Sequence, residues 1–317
     1  AIQTQPTPGG TVSLVAFAQQ PVFKIIDASG NTVTNNTQNV VLSRSAGTGT
    51  LSGTLTVAAV AGVATFTNAA LDIVGTNATL IGTGAAQGAS PQTSAIIITF
   101  GAADSVAIQT QPTPGGTVSL VAFAQQPVFK IIDASGNTVT DNTQNVVLSR
   151  SAGTGTLRGT LTKAAVAGVA TFTDTNLDLV TTTATLIGTG AVQGASPQTA
   201  AIIIDHAGQA SLVVTAQPTT STVSGVAFAQ QGIITVTDAS GNTVTSGADA
   251  TQTITATLTS GIGTLSGTVA ETASGGVANF TTNGMNIDLV GAAPLDKVLT
   301  YTGNSYNVAS NAMSITP

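Results

Sequence analysis

Residues 1–34 read AIQTQPTPGGTVSLVAFAQQPVFKIIDASGNTVT, and residues 107–140 read the same without a single change. A more divergent third copy follows, so that Pro6, Pro112 and Pro218 mark one place at a spacing of 106 residues. Copies 1 and 2 agree at roughly five positions in six, and copy 3 keeps VAFAQQ, DASGNTVT, GTLSGT and GVANFT. A period near 100 residues is too long for a solenoid unit, so each copy is expected to form a domain-sized unit.

Within each copy, short segments rich in Val, Ile, Thr and Phe alternate with clusters of Gly, Asn, Ser and Pro, which is the pattern of strands and turns. For copy 1 the pattern predicts strands at Ile2–Gln5, Thr11–Ala16, Val22–Asp27, Val40–Ser43, Gly53–Val57, Val63–Thr67, Ala78–Gly82 and Ala95–Thr99. We therefore predict an all-β protein of three tandem Ig-like antiparallel β-sandwich domains, with seven to eight strands each, in a linear array.

The predicted domains cover residues 1–103, 104–209 and 210–317. They divide where one closing strand gives way to the next opening strand, at Phe100–Ser105 (FGAADS) and His206–Ser211 (HAGQAS). Short links of this kind predict end-to-end stacking with limited hinging. Three sandwiches in line would reach on the order of 100 Å, since a strand rises about 3.3 Å per residue.

Comparison of the copies predicts which face of each strand is buried, because side chains alternate between faces. The positions that stay apolar are predicted to point inward: Phe23, Ile25, Ile234, Val236, Ala64 and Phe66. Those that become polar are predicted to point outward: Lys24, Ile26, Thr235, Thr237, Thr65 and Asn279. Arg44 aligns with Leu258, which leaves a change of register between copies open.

The composition excludes several classes of function. Hydrophobic residues make up 42% of the chain but charged residues only 6%, so the surface must be polar and nearly neutral. Such a surface suits dense packing against copies of the same protein, or life outside the cell. A net charge of -6 argues against a nucleic-acid partner. The chain has no cysteine and no apolar run of about 20 residues, so neither a disulfide framework nor a membrane span is predicted.

Candidate catalytic residues are scarce, and no cofactor or enzymatic activity is expected. His206 is the single histidine and falls in a predicted linker, so a serine triad is not expected. Glu271 is the single glutamate, and most aspartates recur once per copy at turn positions, which is a poor basis for paired-carboxylate chemistry. No phosphate loop or dinucleotide fingerprint appears.

The repeated D-A-S-G-N motif is the most conspicuous polar pattern. It is typical of a hairpin turn in which Asp accepts backbone hydrogen bonds and Gly supplies a positive φ. The alternative is calcium binding near a domain junction, with oxygen ligands from Asp27, Asn31, Asp133, Asn137, Asp238 and Asn242. One carboxylate and one amide fall well short of a full ligand set, so the turn is favoured.

Copy 3 carries the residues suited to a surface contact. Its Tyr301 and Tyr306 are the only tyrosines, and they are the candidates for stacking on a sugar. The phenylalanines shared among the repeats are interpreted as core. Asn35, Asn77 and Asn279 begin N-x-T triplets and are candidate glycosylation sites in an exported protein.

The motifs PVFKIIDASGNTVT, GTLSGT, GVATF, LDIVGTNATL and SAIIITF together resemble the bacterial Ig-like (Big-like) tandem repeats of large surface proteins. These include invasin/intimin-type adhesins, surface-layer proteins and extracellular filament proteins. The resemblance covers each copy end to end. It implies a secreted, prokaryotic cell-surface rod that holds something away from the cell or polymerises.

Two structural functions follow, with one alternative from another class. The chain is expected to be a subunit of an extracellular filament or sheath, or a stalk segment of a large adhesin. Its partners would be copies of itself, for which strand donation is one route, or neighbouring repeats of a longer chain. The near-neutral surface slightly favours the filament. The alternative is an adhesin module that binds a glycan or a host receptor through copy 3.

Overall fold

The computed structural model describes residues 1–291 and 293–317, and strands dominate it. In copy 1 the strands are β1 (Ile2–Thr4), β2 (Thr11–Val12), β3 (Val22–Lys24), β4 (Asn39–Ala46), β5 (Leu51–Ser52), β6 (Thr56–Ala58), β7 (Val63–Thr65), β8 (Ala70–Leu71), β9 (Gly75–Gly84), β10 (Gly88–Ala89) and β11 (Ile96–Thr99). Each predicted strand overlaps one of these. The short strands β5, β8 and β10 were not predicted, because two residues carry no readable alternation.

Copy 1 forms a sandwich of two sheets. One has the strand order β1-β3-β7, and the other has the order β2-β11-β9-β4-β6 with β10 beside β9. Strand β2 runs parallel to β11, whereas β9 is antiparallel to both β4 and β11. The opening segment therefore contributes one strand to each sheet. This distribution of strands is that of an Ig-type sandwich, and the predicted all-β Ig-like fold is confirmed.

Copy 2 repeats this topology strand for strand. Its strands are β12 (Ser105–Thr110), β13 (Thr117–Val118), β14 (Val128–Ile132), β15 (Asn145–Ala152), β16 (Leu157–Arg158), β17 (Thr162–Ala164), β18 (Val169–Thr171), β19 (Asn176–Leu177), β20 (Thr181–Gly190), β21 (Gly194–Ala195) and β22 (Ile202–Asp205). The sheet orders are β12-β14-β18 and β13-β22-β20-β15-β17, with β21 beside β20.

Copy 3 keeps the plan but divides the second sheet. Its strands are β23 (Ser211–Ala216), β24 (Ser221–Val223), β25 (Ile233–Thr237), β26 (Thr253–Ser260), β27 (Leu265–Ser266), β28 (Ala270–Thr272), β29 (Val277–Asn279), β30 (Asn286–Ile287), β31 (Val298–Gly303), β32 (Tyr306–Ala309) and β33 (Ser314–Thr316), with a 3-10 turn at Ala248–Thr251. The four-stranded part has the order β28-β26-β31-β32, and β33 pairs with β24. Within the described ranges, no helix has the length and hydrophobicity to cross a bilayer.

The buried apolar side chains form three separate clusters, one within each copy. Six of the residues predicted to point inward are buried: Phe23, Ile25, Ile234, Val236, Ala64 and Phe66. Thr65 and Asn279 are exposed, as predicted. Eight of the nine phenylalanines are also buried, which confirms their interpretation as core. The bounds at 103/104 and 209/210 stay a prediction.

The structure resolves two points about faces and register. Thr235 and Thr237 are buried although they point away from the core, because their hydroxyl groups face Thr215 and Ser211 of the neighbouring β23, at 3.1 and 2.7 Å. The change of register left open at Arg44 and Leu258 does not occur. Arg44 lies opposite Leu80, Leu258 lies opposite Leu299, and a bulge follows at the same place in both copies.

The core of copy 3 carries its aromatic bulk on the other sheet. In copy 1 the Phe23 ring covers Gly82 so closely that a Cβ there would lie 2.7 Å from the ring. In copy 3 Ile234 replaces this phenylalanine, and Tyr301 stands opposite Ala256 where Gly82 stands opposite Leu42. The relocated ring lies 5.4 Å from that of Phe280. The exchange keeps the space between the sheets filled.

Candidate interface at the junctions between copies

The D-A-S-G-N motif forms the predicted hairpin turn. In copy 1 the Asp27 N–H donates to the Asn31 carbonyl at 2.9 Å, and the Gly30 N–H donates to the Asp27 carbonyl at 3.0 Å. One carboxylate oxygen of Asp27 accepts the N–H groups of Ser29 and Asn31, both at 2.9 Å. Gly30 has φ +87°, a conformation that favours glycine. All five residues of this first turn are exposed.

In copy 2 the same turn contacts copy 1, and its first and last residues are buried. Asp133 and Asn137 are only 3% and 8% exposed. Oxygen Oδ2 of Asp133 accepts the N–H of Gly101 in the linker at 2.8 Å, and the neighbouring Asp104 N–H donates to the Ile132 carbonyl at 2.8 Å. The turn therefore holds the segment that joins the two copies.

The Asn137 side-chain amide pairs with the backbone of copy 1 as a second peptide group would. Its Nδ2 donates to the Asp72 carbonyl at 2.8 Å, and its Oδ1 accepts the Val74 N–H at 3.0 Å. The Ser13 hydroxyl lies between the copies, 2.6 Å from the Asp72 carbonyl and 2.8 Å from the Ser135 hydroxyl. Paired bonds of this kind fix orientation as well as distance, because both partners are planar.

The junction between copies 2 and 3 repeats this set of contacts. Asn242 Nδ2 donates to the Asp178 carbonyl at 2.9 Å, and Asn242 Oδ1 accepts the Val180 N–H at 3.0 Å. Ser119 lies 2.6 Å from the Asp178 carbonyl and 3.0 Å from the Ser240 hydroxyl. The Ala207 N–H donates to Asp238 at 3.0 Å, as Gly101 donates to Asp133. The two junctions are therefore one contact used twice.

The serine of this contact was missed by sequence reasoning, which placed it inside a strand at Thr11–Ala16. Strand β2 ends at Val12, and Leu14 adopts φ +62° in a turn that presents Ser13 to the next copy. Copy 3 has Gly225 in place of Leu14, with φ +71°, and keeps the serine as Ser224. The signal that was available is the recurrence of T-V-S and of D-[IL]-V in every copy. The core does not require these polar residues, so their recurrence indicates a contact outside the core.

Burial and hydrogen bonding act in opposite directions on the junction aspartates. Burial favours the neutral form of Asp133, but the hydrogen bonds from Gly101, Asn137 and Ser135 outweigh it and lower the pKa below its ordinary value. The same two effects act on Asp238. Burial favours its neutral form, but the hydrogen bonds from Asn242, Ala207 and Ser240 outweigh burial and lower its pKa. Both junctions therefore contain a carboxylate held in its ionised form.

The two linkers differ in chemistry. Phe100 packs against the apolar cluster of copy 2. The corresponding residue of the second linker is His206, whose ring nitrogens lie 2.9 Å from the Ala207 carbonyl and 2.9 Å from the Ser246 hydroxyl. His206 thus has a polar structural role in joining the linker to copy 3.

The calcium alternative has little support from the geometry. The carboxylate oxygens of Asp27, Asp133 and Asp238 all accept N–H groups, and a cation would have to displace these donors. Within residues 1–291 and 293–317, no group of three or more His, Asp or Glu side chains is placed to hold a metal ion. The hairpin turn stays the favoured interpretation of the motif, and the calcium alternative stays untested.

The tyrosine contact site proposed from sequence is wrong for Tyr301. Its side chain is fully buried, because it fills the core position that glycine occupies in copies 1 and 2. Tyr306 is half-buried, and its hydroxyl donates to the Gln209 carbonyl of the linker at 3.0 Å. The candidate glycosylation sites Asn35, Asn77 and Asn279 are exposed, and their modification stays a prediction.

Lys297 is a further residue that sequence reasoning missed. It takes the place of a buried alanine in copies 1 and 2, yet its side chain is fully buried. Its Nζ donates to the Ile262 carbonyl and lies 3.9 Å from a carboxylate oxygen of Asp296. The lysine thus ties together two loops at the end of copy 3.

Two cavities lie near the turns. One of about 420 Å³ opens between the sheets of copy 1, beside Ala1, Phe23, Val40 and Asp27. The other, of about 300 Å³, is a cleft in the first junction between Ser13, Gly101 and Asp133.

Comparison with known proteins yields only distant likenesses. The chain matches no protein-family model and no curated protein. Among solved structures, it is similar to the Escherichia coli adhesin FdeC, with 14% identity, 98% of this chain and 95% of that chain covered, and a TM-score of 0.34. It is also similar to the D0-D1 domains of intimin (15% identity, 64% and 98% covered, TM-score 0.24) and to domains 1–6 of the surface-layer protein SbsC (11%, 100% and 41%, 0.27). Scores at this level say nothing of function.

Proposed function

We propose that the chain is a non-enzymatic structural protein of the prokaryotic cell surface, in which Ig-type sandwiches stack into a stiff rod. The observation that carries this proposal is the repeated junction. Each junction joins a buried carboxylate, a side-chain amide and a pair of serines in one arrangement of hydrogen bonds, which a flexible linker would not need. A buried polar group contributes only where its partner is held in place, so such a contact favours one relative orientation of the copies.

The composition supports an extracellular location. A chain with 6% charged residues has little self-repulsion, which suits a part that packs densely. Within the proposed function, the rod is the subunit of a filament or sheath, or a stalk segment of a large adhesin. We favour the filament, because exposed aliphatic side chains accompany the neutral surface. They include Leu14, Val15, Leu120, Val121, Val226 and Leu289.

Small-angle X-ray scattering of the purified chain tests the rod. We expect a maximum dimension on the order of 100 Å and a narrow distribution of shapes, from three sandwiches stacked along their strands. A broad, concentration-independent distribution of end-to-end distances would show that the copies are loosely strung and would contradict the proposal. Immunogold labelling of thin sections of cells tests the location, since label confined to the cell interior would contradict a surface protein.

Electron microscopy of the native protein separates the two structural functions. Filaments with an axial repeat that matches the rod length would support the subunit. Isolated rods at all concentrations would leave only the stalk segment.

A further inference from the structure

The two ends of the chain carry the two halves of the junction contact. At one end the turn of copy 1 exposes Asp27, Ser29 and Asn31, the counterparts of Asp133, Ser135 and Asn137. At the other end, the Ser224 hydroxyl lies 2.5 Å from the Asp288 carbonyl, as Ser13 and Ser119 lie 2.6 Å from the carbonyls of Asp72 and Asp178. The receiving half is thus preformed in copy 3 before anything binds to it.

We propose that these halves join two molecules head to tail. The side-chain amide of Asn31 in one molecule pairs with the Asp288 carbonyl and the Val290 N–H of a second copy, and Ser29 meets Ser224. This inference rests on the filament form of the proposed function and supplies its joint. The partner is a second copy of this chain, because its end face repeats a surface that already binds this turn twice.

The conformation of the receiving face supports the match. Asp288 accepts the Thr264 N–H at 2.7 Å, as Asp72 accepts the Thr50 N–H and Asp178 accepts the Thr156 N–H, both at 2.6 Å. The bond from Thr264 fixes the Asp288 side chain, and the backbone carbonyl of Asp288 accepts the Ser224 hydroxyl as its counterparts accept Ser13 and Ser119. Around it, Val226, Leu289 and Val290 are 52%, 49% and 41% exposed. The equivalent Val15 and Val74 in copy 1 are 53% and 41% exposed at a junction already formed.

The joint between molecules is expected to be weaker than the internal ones. Inside the chain, the linker tethers the partners and raises their effective concentration to about the millimolar range. The internal turns also accept a linker N–H at Asp133 and Asp238. A joint between separate molecules relies on the amide and serine pairs alone. It therefore forms at high protein concentration, as within a growing filament.

Cysteine cross-linking tests the geometry, since the chain has no cysteine of its own. The Oγ atoms of Ser13 and Ser135 are 2.8 Å apart, so the pair Ser13→Cys/Ser135→Cys should form a disulfide within one molecule and serves as the positive control. The test variant is Ser29→Cys/Ser224→Cys, oxidised at up to about 1 mM protein. We expect a ladder of covalent oligomers on a non-reducing gel. Each single variant can form no species above a dimer.

The amide is tested on the same background. Adding Asn31→Ala should reduce the yield of the ladder at least tenfold, whereas adding Asn35→Ala, an exposed asparagine on the next turn, should leave it unchanged. Equal yields of oligomers with Asn31→Ala and with Asn35→Ala would show that the Asn31 amide has no part in the joint. If the Ser29→Cys/Ser224→Cys variant forms nothing larger than a dimer while the Ser13→Cys/Ser135→Cys control forms its disulfide, the proposed joint is wrong.

Electron microscopy of the wild type separates this failure from failure of the proposed function. Filaments without a ladder overturn the joint alone. Isolated rods without a ladder overturn the filament as well.

Discussion

The side-chain amide of Asn137 donates a hydrogen bond of 2.8 Å to the backbone carbonyl of Asp72, which belongs to the preceding copy. The same amide is bonded to the carboxylate of Asp133, at 2.9 Å, and that carboxylate holds the linker at Gly101. One asparagine therefore connects three parts of the chain: the end of copy 1, the linker and the turn of copy 2. The orientation of neighbouring copies depends on these bonds, and the first two predictions concern them.

Asn137→Ala should loosen the first junction without unfolding either copy. The substitution leaves the Val74 N–H without its partner and removes one of the two donors to the Asp72 carbonyl, which keeps the Ser13 hydroxyl, at a cost of about 1–3 kcal/mol. Limited proteolysis of the linker at residues 100–104 should accelerate about tenfold, since about 1.4 kcal/mol corresponds to a factor of ten. Asn31→Ala is the matched control, because it removes the same amide from the same turn where no copy is docked. Equal cleavage rates in the two variants would contradict the assignment.

Acid should loosen both junctions. The pKa values of Asp133 and Asp238 lie below the ordinary 3.8, so their contribution is fully present above about pH 4 and is lost as the pH falls through the lowered values. X-ray scattering recorded between pH 7 and pH 2 should give a broader distribution of interatomic distances below pH 4. The strand content, measured by circular dichroism, should stay constant. Asp133→Asn should be looser at neutral pH and should lose the acid transition of the first junction. An unchanged wild-type curve down to pH 2 would show that these carboxylates do not hold the copies together.

The predictions from sequence succeeded where one residue in two faces the core. Phe23 and Ile25 are buried, and the exposed Thr65 next to the buried Ala64 follows the same alternation. Repetition strengthened these predictions, because a position that stays apolar in a diverged copy has a packing reason to do so. The hairpin turn was also predictable, since Asp and Gly have local reasons to occupy it.

The functional contact could not be predicted in the same way. Ser13 reaches Ser135 across 122 residues of sequence, and nothing in the local pattern at either serine indicates the other. Tyr301 was misinterpreted as a surface contact because it is one of only two tyrosines in the chain, both of which lie in the divergent copy. Its burial depends on the loss of a phenylalanine from the opposite sheet, where copy 3 has Ile234. Such compensated exchanges become visible only when the two sheets are seen together.

The exchange between copies 1 and 3 predicts strong non-additivity. Gly82→Tyr alone should destabilise copy 1 by about 1–3 kcal/mol or more, because the Phe23 ring covers the site. Phe23→Ile alone should cost about 2 kcal/mol through the cavity it leaves. The triple variant Pro21→Gly/Phe23→Ile/Gly82→Tyr should recover most of the loss, since residues in contact couple. The third change is needed because a Cβ at Gly232, the counterpart of Pro21, would collide with the Tyr301 hydroxyl.

Hydrogen exchange in the full chain measures this exchange copy by copy. The β9 peptide GTNATLIGTG differs in sequence from the β20 peptide TTTATLIGTG, so copy 1 is followed with copy 2 as an internal reference. Protection of β9 should fall in both single variants and return in the triple variant. If the losses of protection simply add over the three changes, then the aromatic ring on one sheet in copy 1 and on the other sheet in copy 3 are not equivalent ways to fill the core.

Tyr301→Phe should stabilise copy 3 at neutral pH and more so in alkali. The Tyr301 hydroxyl is buried and has no hydrogen-bond partner in the part of the chain that the structure describes, so its removal should gain about 1 kcal/mol. Burial also raises the pKa of this phenol above its ordinary 10.0. The unfolded chain then ionises first, so the contribution of Tyr301 to stability is intact below pH 10 and falls as the pH rises beyond it. Urea unfolding of both proteins from pH 7 to pH 11.5 should show the difference in stability widening above pH 10. A constant difference, or a less stable variant at pH 7, would mean that the hydroxyl has a partner that stabilises the fold.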